Sequence, residues 1–291
     1  MTAIVEAPAT GGPAPGIRGD LSLEAYHADR SSLSSSGARK LLAPSCPALF
    51  KYEQDNPQPP KKTFDLGHAA HKLVLGEGPE LVVVDRPKWD TIAVKAEVAE
   101  IRAAGNVPLK QHEYDQVQAM ADAIRLHPTA SGLFEPGSGL AEQSLFWTDP
   151  PTGFARRARP DWMPHRGDGR LVVVDYKTCT AADPDALAKA VYDHGYHQQA
   201  AWYLDGVKAL GLHGDQEPAF IFVFQTKTPP YLVHLVELDF TALGLGTARN
   251  REALRIYAEC TRTGHWPGFN DRITYLPLPV WAEKRDQEEY S

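Results

Sequence analysis

The chain has 291 residues, 43% of them hydrophobic, which is enough to build a real core in one large α/β domain or two small ones; we favour one domain. Its formal net charge of −7 does not favour nucleic-acid binding, because proteins that bind DNA usually neutralise several phosphates with Lys and Arg. No apolar run approaches the ~20 residues that span a bilayer, so we expect no membrane-spanning segment.

The N-terminal segment, Met1–Gly19, is rich in Ala, Pro and Gly and shows no apolar periodicity, so we expect it to be disordered. It lacks the charged start and the apolar stretch of a signal peptide. We assign the folded domain to residues 20–270 and a C-terminal extension to residues 271–291.

Helices dominate the first half of the folded part. They are predicted over Ser36–Leu42, Pro47–Gln54, Phe64–Leu75, Ala93–Ala104 and Gln111–Leu126, with a strand over Leu81–Val84. In the third helix, Gly67 lies one turn before His71. Glycine permits close approach of another backbone, and the His71 imidazole can bind a metal. A lone helical histidine is otherwise an ordinary core or surface residue.

The strongest signal is a predicted hairpin in the middle of the chain. A glycine-containing turn at His165–Gly169 lies between two apolar runs. A hairpin centred on Asp168 places Asp161 opposite Asp175, because Asp168 lies midway between them. Strand side chains alternate, so Lys177 shares the face of these two carboxylates.

Two carboxylates and a lysine on one face suit the metal-assisted hydrolysis of a phosphodiester. Carboxylate oxygens are hard ligands for Mg²⁺ or Mn²⁺, and they leave coordination positions for water and a phosphate oxygen. A neighbouring lysine can orient that water, help to deprotonate it, or neutralise charge on the phosphate. The alternative is a structural ion pair. However, unpaired charge beside a core is costly, so charged groups at the end of a buried strand favour a functional site.

The flanking elements complete an alternation of strands and helices. An alternating run, Glu142–Trp147, predicts a strand beside the hairpin, with Glu142 as an acidic helper or an edge-strand surface residue. Helices begin at Asp183-Pro184 and Tyr196, a hairpin joins Phe220–Phe224 to Tyr231–Leu238 around Pro229-Pro230, and a long helix from Phe240 to Cys260 ends at Gly264. Gln199 and Tyr203 lie on one side of the second of these helices. This order predicts an α/β fold with a mixed central sheet flanked by helices.

The three cysteines, Cys46, Cys179 and Cys260, are scattered without a CxxC pair, so neither a zinc site nor a disulfide framework is indicated. They cannot supply the four cysteines of an iron-sulfur cluster. Scattered free cysteines suit a reducing cytoplasm, where we place the protein.

The net acidic charge can hide a local basic groove. Alternation puts Arg157 and Arg159 on the face of Asp161, and Arg156 on the opposite face. The further basic candidates are Lys61, Lys62, Arg39 and Lys40. Each of them can equally be a solvated surface charge.

Taken in chain order, five motifs resemble those of the PD-(D/E)XK nuclease superfamily. They are Gly67 with His71, Glu142, Pro160-Asp161, Asp175-Tyr176-Lys177, and Gln199 with Tyr203. The chain is most similar to the RecB-like branch, and within it to phage and prophage exodeoxyribonucleases of type VIII (RecE), from about Leu21 to about Trp266. His68 departs from the small residue expected between Gly67 and His71.

The resemblance implies a restriction-endonuclease-like core and a Mg²⁺-dependent deoxyribonuclease in which Mn²⁺ can substitute. Its metal ligands would be His71, Asp161 and Asp175, with the Tyr176 carbonyl as a further one. Lys177 would be the catalytic lysine. Gln199 and Tyr203 would support the site and touch the nucleic acid, and Arg157 and Arg159 are further DNA-binding candidates.

The resemblance further implies an exonuclease that resects the ends of linear duplex DNA in the 5′-to-3′ direction for recombination. It implies a homo-oligomer and a single-strand annealing recombinase as partner. One alternative is a RecB-like endonuclease or single-strand nuclease in repair or defence. Another is a catalytically inactive DNA-binding protein on a nuclease scaffold. The complete set of metal-ligand types argues against this alternative.

Overall fold

The computed structural model describes residues 12–57, 66–135, 137–165, 169–270 and 272–291, with the backbone alone at Leu66 and His68. The strands are β1 (Gly16–Arg18), β2 (Ser32–Ser34), β3 (Leu81–Val83), β4 (Val107–Leu109), β5 (Gly139–Ala141), β6 (Ser144–Thr148), β7 (Ala155–Ala158), β8 (Trp162–Pro164), β9 (Val172–Cys179), β10 (Ala219–Thr226) and β11 (Val233–Glu237). The helices are α1 (Leu23–Ala28), α2 (Ser35–Lys40), α3 (Pro47–Asp55), α4 (Leu66–Leu75), α5 (Ile92–Ala103), α6 (Gln111–Leu126), α7 (Ala130–Leu133), α8 (Pro184–Asp193), α9 (Tyr196–Ala209), α10 (Phe240–Thr263) and α11 (Val280–Tyr290).

A mixed five-stranded sheet, in the order β11-β10-β9-β8-β5, forms the centre of the fold. Strand β9 pairs in parallel with β10 and antiparallel with β8. Helix α9 packs on one face, where Trp202 and Phe222 are fully buried, and α4 and α6 pack on the other, around Met120 and Val174. The predicted α/β class, with a mixed sheet flanked by helices, is confirmed.

The alternation along β9 decides which side chains face which helix layer. Val173 packs in the cluster that contains Trp202 of α9, whereas Val174 and Tyr176 pack in the cluster on the α4 and α6 side. Asp175, which lies between the last two, therefore faces α9.

Strands β8 and β9 form the predicted hairpin in the predicted register. Trp162 pairs with Val174, which is the register that sets Asp161 opposite Asp175. The predicted turn centre, residues 166–168, lies outside the described residues. Local patterns also predicted α6 at its observed bounds, and they placed the start of α10 at Phe240. Helix α10 ends where Gly264 adopts a φ of 70°, as the glycine at that position predicted.

The N-terminal segment differs from the expected disorder where the structure describes it. Residues 1–11 lie outside the described residues, but Gly16–Arg18 form β1 and pair antiparallel with β6. This strand is the edge of a second sheet, in the order β1-β6-β7-β2. Main-chain hydrogen bonds hold such a short strand, so it needs no apolar periodicity of its own.

The chain leaves the fold after Pro267, shortly before the C-terminal extension begins. Trp266 stacks on Phe50 with the ring centroids 5.7 Å apart, and the Ala48 N–H donates to the Pro267 carbonyl at 3.0 Å. Beyond this contact, Ile273 and Tyr275 are 101% and 96% exposed, and α11 buries none of its residues. Within the described ranges, no helix has both the length and the apolar character needed to cross a membrane.

Candidate active site

Asp161 lies where β8 and β9 begin to separate. It directly precedes β8, and its Oδ2 accepts a hydrogen bond from the backbone N–H of Tyr176 at 2.8 Å. A side-chain carboxylate, rather than a strand carbonyl, therefore satisfies this donor. The bond fixes the Asp161 side chain at the open end of the hairpin.

Three side chains bring their ligand atoms together at this point. His71 Nε2, on α4, lies 3.3 Å from Asp161 Oδ2 and 3.5 Å from Glu142 Oε1. The three ligand atoms all lie within 4.8 Å of one another. We call His71, Glu142 and Asp161 the acidic cluster. An imidazole from an early helix thus meets two carboxylates from distant parts of the chain.

Glu142 reaches this cluster from a bend and not from the strand that was predicted. It lies between β5 and β6 with a φ of 54°, and its N–H donates to the Asp161 carbonyl at 3.1 Å. This left-handed conformation costs a non-glycine residue ~1–2 kcal/mol, and the surrounding contacts must hold it. Arg159 does so, because its Nε donates to Glu142 Oε2 at 2.6 Å.

Lys177, Asp175 and Gln199 form a second group next to the acidic cluster. The Lys177 Nζ lies 2.5 Å from Asp175 Oδ2, and Gln199 Nε2 donates to Asp175 Oδ1 at 2.6 Å. Asp175 is 1% exposed, whereas the Lys177 side chain is 24% exposed. On the next turn of α9, the Tyr203 hydroxyl donates to the Arg159 carbonyl at 3.3 Å. The buried carboxylate thus holds a lysine that still reaches solvent.

Burial and neighbouring charge give these groups opposite protonation tendencies. Burial raises the pKa of Asp175 to about 6, and the Asp161 charge adds to this while Lys177 opposes it. For Asp161 the effect of burial is outweighed by His71 and Lys177, so its pKa is lowered. Burial would lower the pKa of His71, but Asp161 and Glu142 outweigh it and raise the pKa. In the same way Asp175 outweighs burial and raises the pKa of Lys177.

The acidic cluster has the chemistry of a divalent metal site. Two carboxylates and one imidazole are donors that suit ions such as Mg²⁺ and Mn²⁺. Two carboxylates held side by side also repel each other unless positive charge lies between them. The mutual separations of the donor atoms, all within 4.8 Å, allow the three side chains to share one ion after small adjustments. Asp175, a predicted ligand, is not in this cluster and pairs with Lys177 instead.

The structure gives Arg157 an internal position instead of the DNA-facing one expected from alternation. Arg157 is 6% exposed, and its Nη1 lies 3.2 Å from Asp29 Oδ2 and donates to Ser32 Oγ at 3.0 Å. Arg156 is 2% exposed and lies with its guanidinium 3.9 Å from the centroid of the Trp202 ring. Both guanidiniums are engaged inside the protein.

The other predicted basic residues have mixed surroundings. Arg159 is bonded to Glu142, the Leu21 carbonyl and the Ser144 hydroxyl, so it also points inward. Lys40 is exposed and paired with Glu53. Lys61 and Lys62 lie outside the described residues.

One partner of the site was missed by the sequence reasoning. The Tyr176 hydroxyl donates to Gln225 Oε1 at 2.5 Å, and Gln225 Nε2 donates to the Met120 carbonyl at 2.8 Å. The Tyr176 ring lies 6.4 Å from the His71 ring, so Gln225 supports the wall against which His71 packs. The only signal was a glutamine directly after the apolar run Phe220–Phe224.

A cavity of about 1110 Å³ opens beside the acidic cluster. Glu142, Arg159 and Trp162 lie on its wall, together with apolar residues such as Leu73 and Phe134. The cavity gives solvent a route to Glu142, and it leaves room for part of a substrate.

Comparison with known proteins gives a family match and one structure with a shared fold. The profile of a family described as "PDDEXK-like domain of unknown function (DUF3799)" matches residues 34–279. A protein from Eubacterium rectale named "putative exonuclease" superimposes with a TM-score of 0.57 and 13% identity, over 90% of this chain and 97% of that chain. The structure of SSO0001 superimposes with a TM-score of 0.36 and 12% identity, over 81% of this chain and 78% of that chain. No curated protein matches the chain. The first superposition shows a shared fold.

Proposed function

Because the chain belongs to the family of PDDEXK-like domains of unknown function (DUF3799), we propose that it is a metal-dependent nuclease that resects linear duplex DNA from its ends. The observation that carries the proposal is the convergence of His71, Glu142 and Asp161 beside the Lys177–Asp175 ion pair. The name of the Eubacterium rectale protein agrees with an exonuclease. The 5′-to-3′ direction and a role in recombination come from the resemblance to exodeoxyribonuclease VIII.

The acidic cluster would hold one divalent cation, Mg²⁺ or, in its place, Mn²⁺. A bound cation of this kind lowers the pKa of a coordinated water and stabilises negative charge on the phosphate. The Tyr176 carbonyl and Asp175 are the next donors along β9, and we propose them as additional ligands. Arg159 keeps Glu142 aimed at the cluster, since it holds the opposite oxygen of that carboxylate.

Lys177 is the residue that we propose for charge neutralisation and water orientation. Asp175 keeps its ammonium in place and raises its pKa, so the lysine stays charged. Its partial exposure lets it face a phosphate. Gln199 in turn orients Asp175, and Tyr203 holds the backbone at Arg159. Both side chains are less than 10% exposed, so we propose that they support the site rather than grip the DNA.

The activity test is digestion of linear duplex DNA in Mg²⁺ by the parent protein and by Lys177→Met. We expect a loss of at least roughly 100-fold for the variant, because an electrostatic stabiliser of a developing charge contributes about that much. Lys189→Met is the matched control, since that lysine lies on the surface of α8 in a pair with Asp193. Digestion by the Lys177 variant at the parent rate would remove this lysine from the mechanism.

The choice of DNA substrate distinguishes an exonuclease from an endonuclease and from a single-strand nuclease. A covalently closed circle should survive, whereas cleavage of it would indicate an endonuclease. Labels at the 5′ and 3′ ends report the direction from the order in which they are released. A single-stranded substrate degraded in preference to duplex would favour the single-strand nuclease. DNA binding without any cleavage would favour the inactive scaffold.

Metal binding is testable without catalysis by calorimetric titration of Mn²⁺. We expect one ion per chain and a clear loss of affinity in Glu142→Gln. Because Asp161 and Glu142 raise the pKa of His71 and a metal-bound imidazole nitrogen must lose its proton, binding should also release protons, which is measured by repeating the titration in buffers of different ionisation enthalpy. Unchanged affinity in Glu142→Gln would exclude the acidic cluster as the metal site.

We also propose that the chain self-associates and works beside a single-strand annealing recombinase. Support for self-association comes from the C-terminal extension, where large apolar side chains such as Ile273, Tyr275 and Trp281 are exposed. Water-exposed apolar groups at this density mark an interaction surface. Light scattering of the full chain and of a chain ending at Gly268 tests this, since an unchanged number of chains per particle would exclude the extension as the contact. Co-purification with an annealing protein tests the second partner.

A further inference from the structure

Arg39 lies beside the start of α9, within electrostatic reach of Asp175 but outside the acidic cluster. Its Nη1 donates to the His194 carbonyl at 2.8 Å. A Cβ atom on Gly195 would lie 2.8 Å from Arg39 Cδ, so the glycine leaves the space that the arginine stem occupies. The guanidinium is therefore held in a defined position at the junction of α2 and α9.

The charge of Arg39 is not neutralised by a carboxylate among the described residues. Its hydrogen bond goes to a neutral carbonyl, whereas Arg156, Arg157 and Arg159 all pair with Asp or Glu. Partial burial lowers the pKa of Arg39, while the nearby Tyr203 and Asp175 act in the opposite direction. A partly desolvated guanidinium that bonds, among the residues the structure describes, to a carbonyl and to no carboxylate retains donors that match the oxygens of a phosphate.

The rings of His194, whose carbonyl Arg39 contacts, and Tyr196 lie next to each other, and Tyr196 lies beside Lys177. The Tyr196 ring lies 5.4 Å from the Lys177 Nζ and 5.3 Å from the ring of His194, which is exposed. Phe222 and Phe224 support Tyr196 from the core, with centroids 5.4 Å and 6.0 Å away. A rigidly supported ring beside an exposed ring is a suitable platform for a nucleobase, because every base has a π-face.

We infer that Arg39, His194 and Tyr196 form a strand-binding subsite that holds the DNA next to the bond that is cut. Arg39 takes a backbone phosphate, and the adjoining base stacks on the rings of His194 and Tyr196. This assignment rests on the proposed function, because DNA is the ligand. It gives a chain with a net charge of −7 a local point of attachment for a phosphate.

The test uses the full chain with Asp161→Asn, which removes a cluster carboxylate so that the DNA is not cut during the measurement. A fluorescein-labelled thymidine oligonucleotide of about 12 nucleotides is the probe, and its Kd is measured in Mg²⁺ over a series of salt concentrations. Arg39→Gln should weaken binding roughly tenfold, and the slope of log K against log salt should fall by about 0.7, which corresponds to one phosphate contact. Arg251→Gln is the matched control, because that exposed arginine of α10 loses the same charge elsewhere on the surface.

The salt slope separates a phosphate contact from a purely structural role. Arg39→Lys keeps the charge and should keep the slope, whereas a merely structural Arg39 would leave the slope unchanged in Arg39→Gln. His194→Ala alters an exposed ring and should weaken binding about fivefold with an unchanged slope, so it tests the subsite even if Arg39→Gln does not fold. Parent-like binding in both His194→Ala and Arg39→Gln, or in His194→Ala alone if Arg39→Gln does not fold, would overturn the inference while leaving the nuclease proposal intact. An Asp161→Asn chain that does not bind the probe, together with a parent that does not cut DNA, would overturn both.

Discussion

The Asp175 carboxylate combines a position in the candidate site with an energetic cost that can be measured. It is 1% exposed, and burial raises its pKa to about 6 even though Lys177 and Gln199 bond to it. Asp175→Asn removes the charge and keeps the shape of the protonated acid. We predict that this variant is inactive in Mg²⁺ and yet, in the metal-free state, more stable than the parent at neutral pH.

The sign and size of the effect follow from proton linkage. The pKa of Asp175 is about 6 in the folded chain and near 4 in the unfolded chain, so the folded state binds this proton more tightly. The stability that protonation contributes is complete below pH 4 and is lost as the pH rises through 6. At about 1.4 kcal/mol for each tenfold change in the proton equilibrium, the parent loses on the order of 3 kcal/mol. Asp175→Asn has no proton to lose at this position, so its free energy of unfolding does not fall in this way.

The assay is urea unfolding in EDTA from pH 4 to pH 8. The free energy of unfolding should agree for the two proteins near pH 4, and it should favour Asp175→Asn by on the order of 2–3 kcal/mol at pH 8. Asp193→Asn is the control: that carboxylate is partly exposed in an i,i+4 pair, so the change should cost under about 0.5 kcal/mol. A parent at least as stable as Asp175→Asn at pH 8 would refute the buried-charge account.

Two further predictions concern close packing and the acidic cluster. A Cβ on Gly246 would lie 2.2 Å from the His197 carbonyl oxygen, so Gly246→Ala should lower the free energy of unfolding by about 2–3 kcal/mol in urea titrations. A Cβ on Gly244, in the same helix, would meet open space. Gly244→Ala should therefore raise the free energy of unfolding by up to ~1 kcal/mol. Arg159→Lys removes the Nε donor that holds Glu142, so the affinity for Mn²⁺ should fall roughly 10-fold to 100-fold in calorimetry. An unchanged affinity would show that Glu142 does not need Arg159 to bind the metal.

Local sequence patterns were sufficient to predict several of the helices and strands on which the candidate site residues lie. The hairpin register at Trp162 and Val174 followed from the position of a turn midway between two apolar runs, because antiparallel pairing is set by the turn. The bounds of α6 and the start of α10 followed from apolar periodicity and from end signals. The meeting of His71 with Asp161 came from the resemblance to a nuclease family, since helix and hairpin are joined only by the tertiary fold.

The positions that sequence reasoning missed depend on partners far away in the chain. Arg157 lies inside the protein because Asp29, 128 residues away, pairs with it. Alternation gives the face of a strand, but it does not tell whether that face is open or covered. Glu142 has a positive φ, which a glutamate rarely adopts, so no propensity rule predicts a bend there. Its conformation follows from the bonds to Asp161 and Arg159.

The charges of the site divide into two groups, and this division favours a single metal ion. Asp175 already has the Lys177 ammonium at 2.5 Å, so it does not require a second cation. Asp161 and Glu142 share His71, whose pKa rises because the two carboxylates outweigh the effect of burial. The two carboxylates therefore stabilise a proton on His71, and a divalent ion that binds the same nitrogen must displace that proton. Because the proton and the metal ion compete for His71, the affinity of the acidic cluster for the ion is low in acid and rises with the pH. In the proposed mechanism the metal therefore enters at the acidic cluster, with Asp175 and the Tyr176 carbonyl as additional ligands, and Lys177, held by Asp175, faces the phosphate.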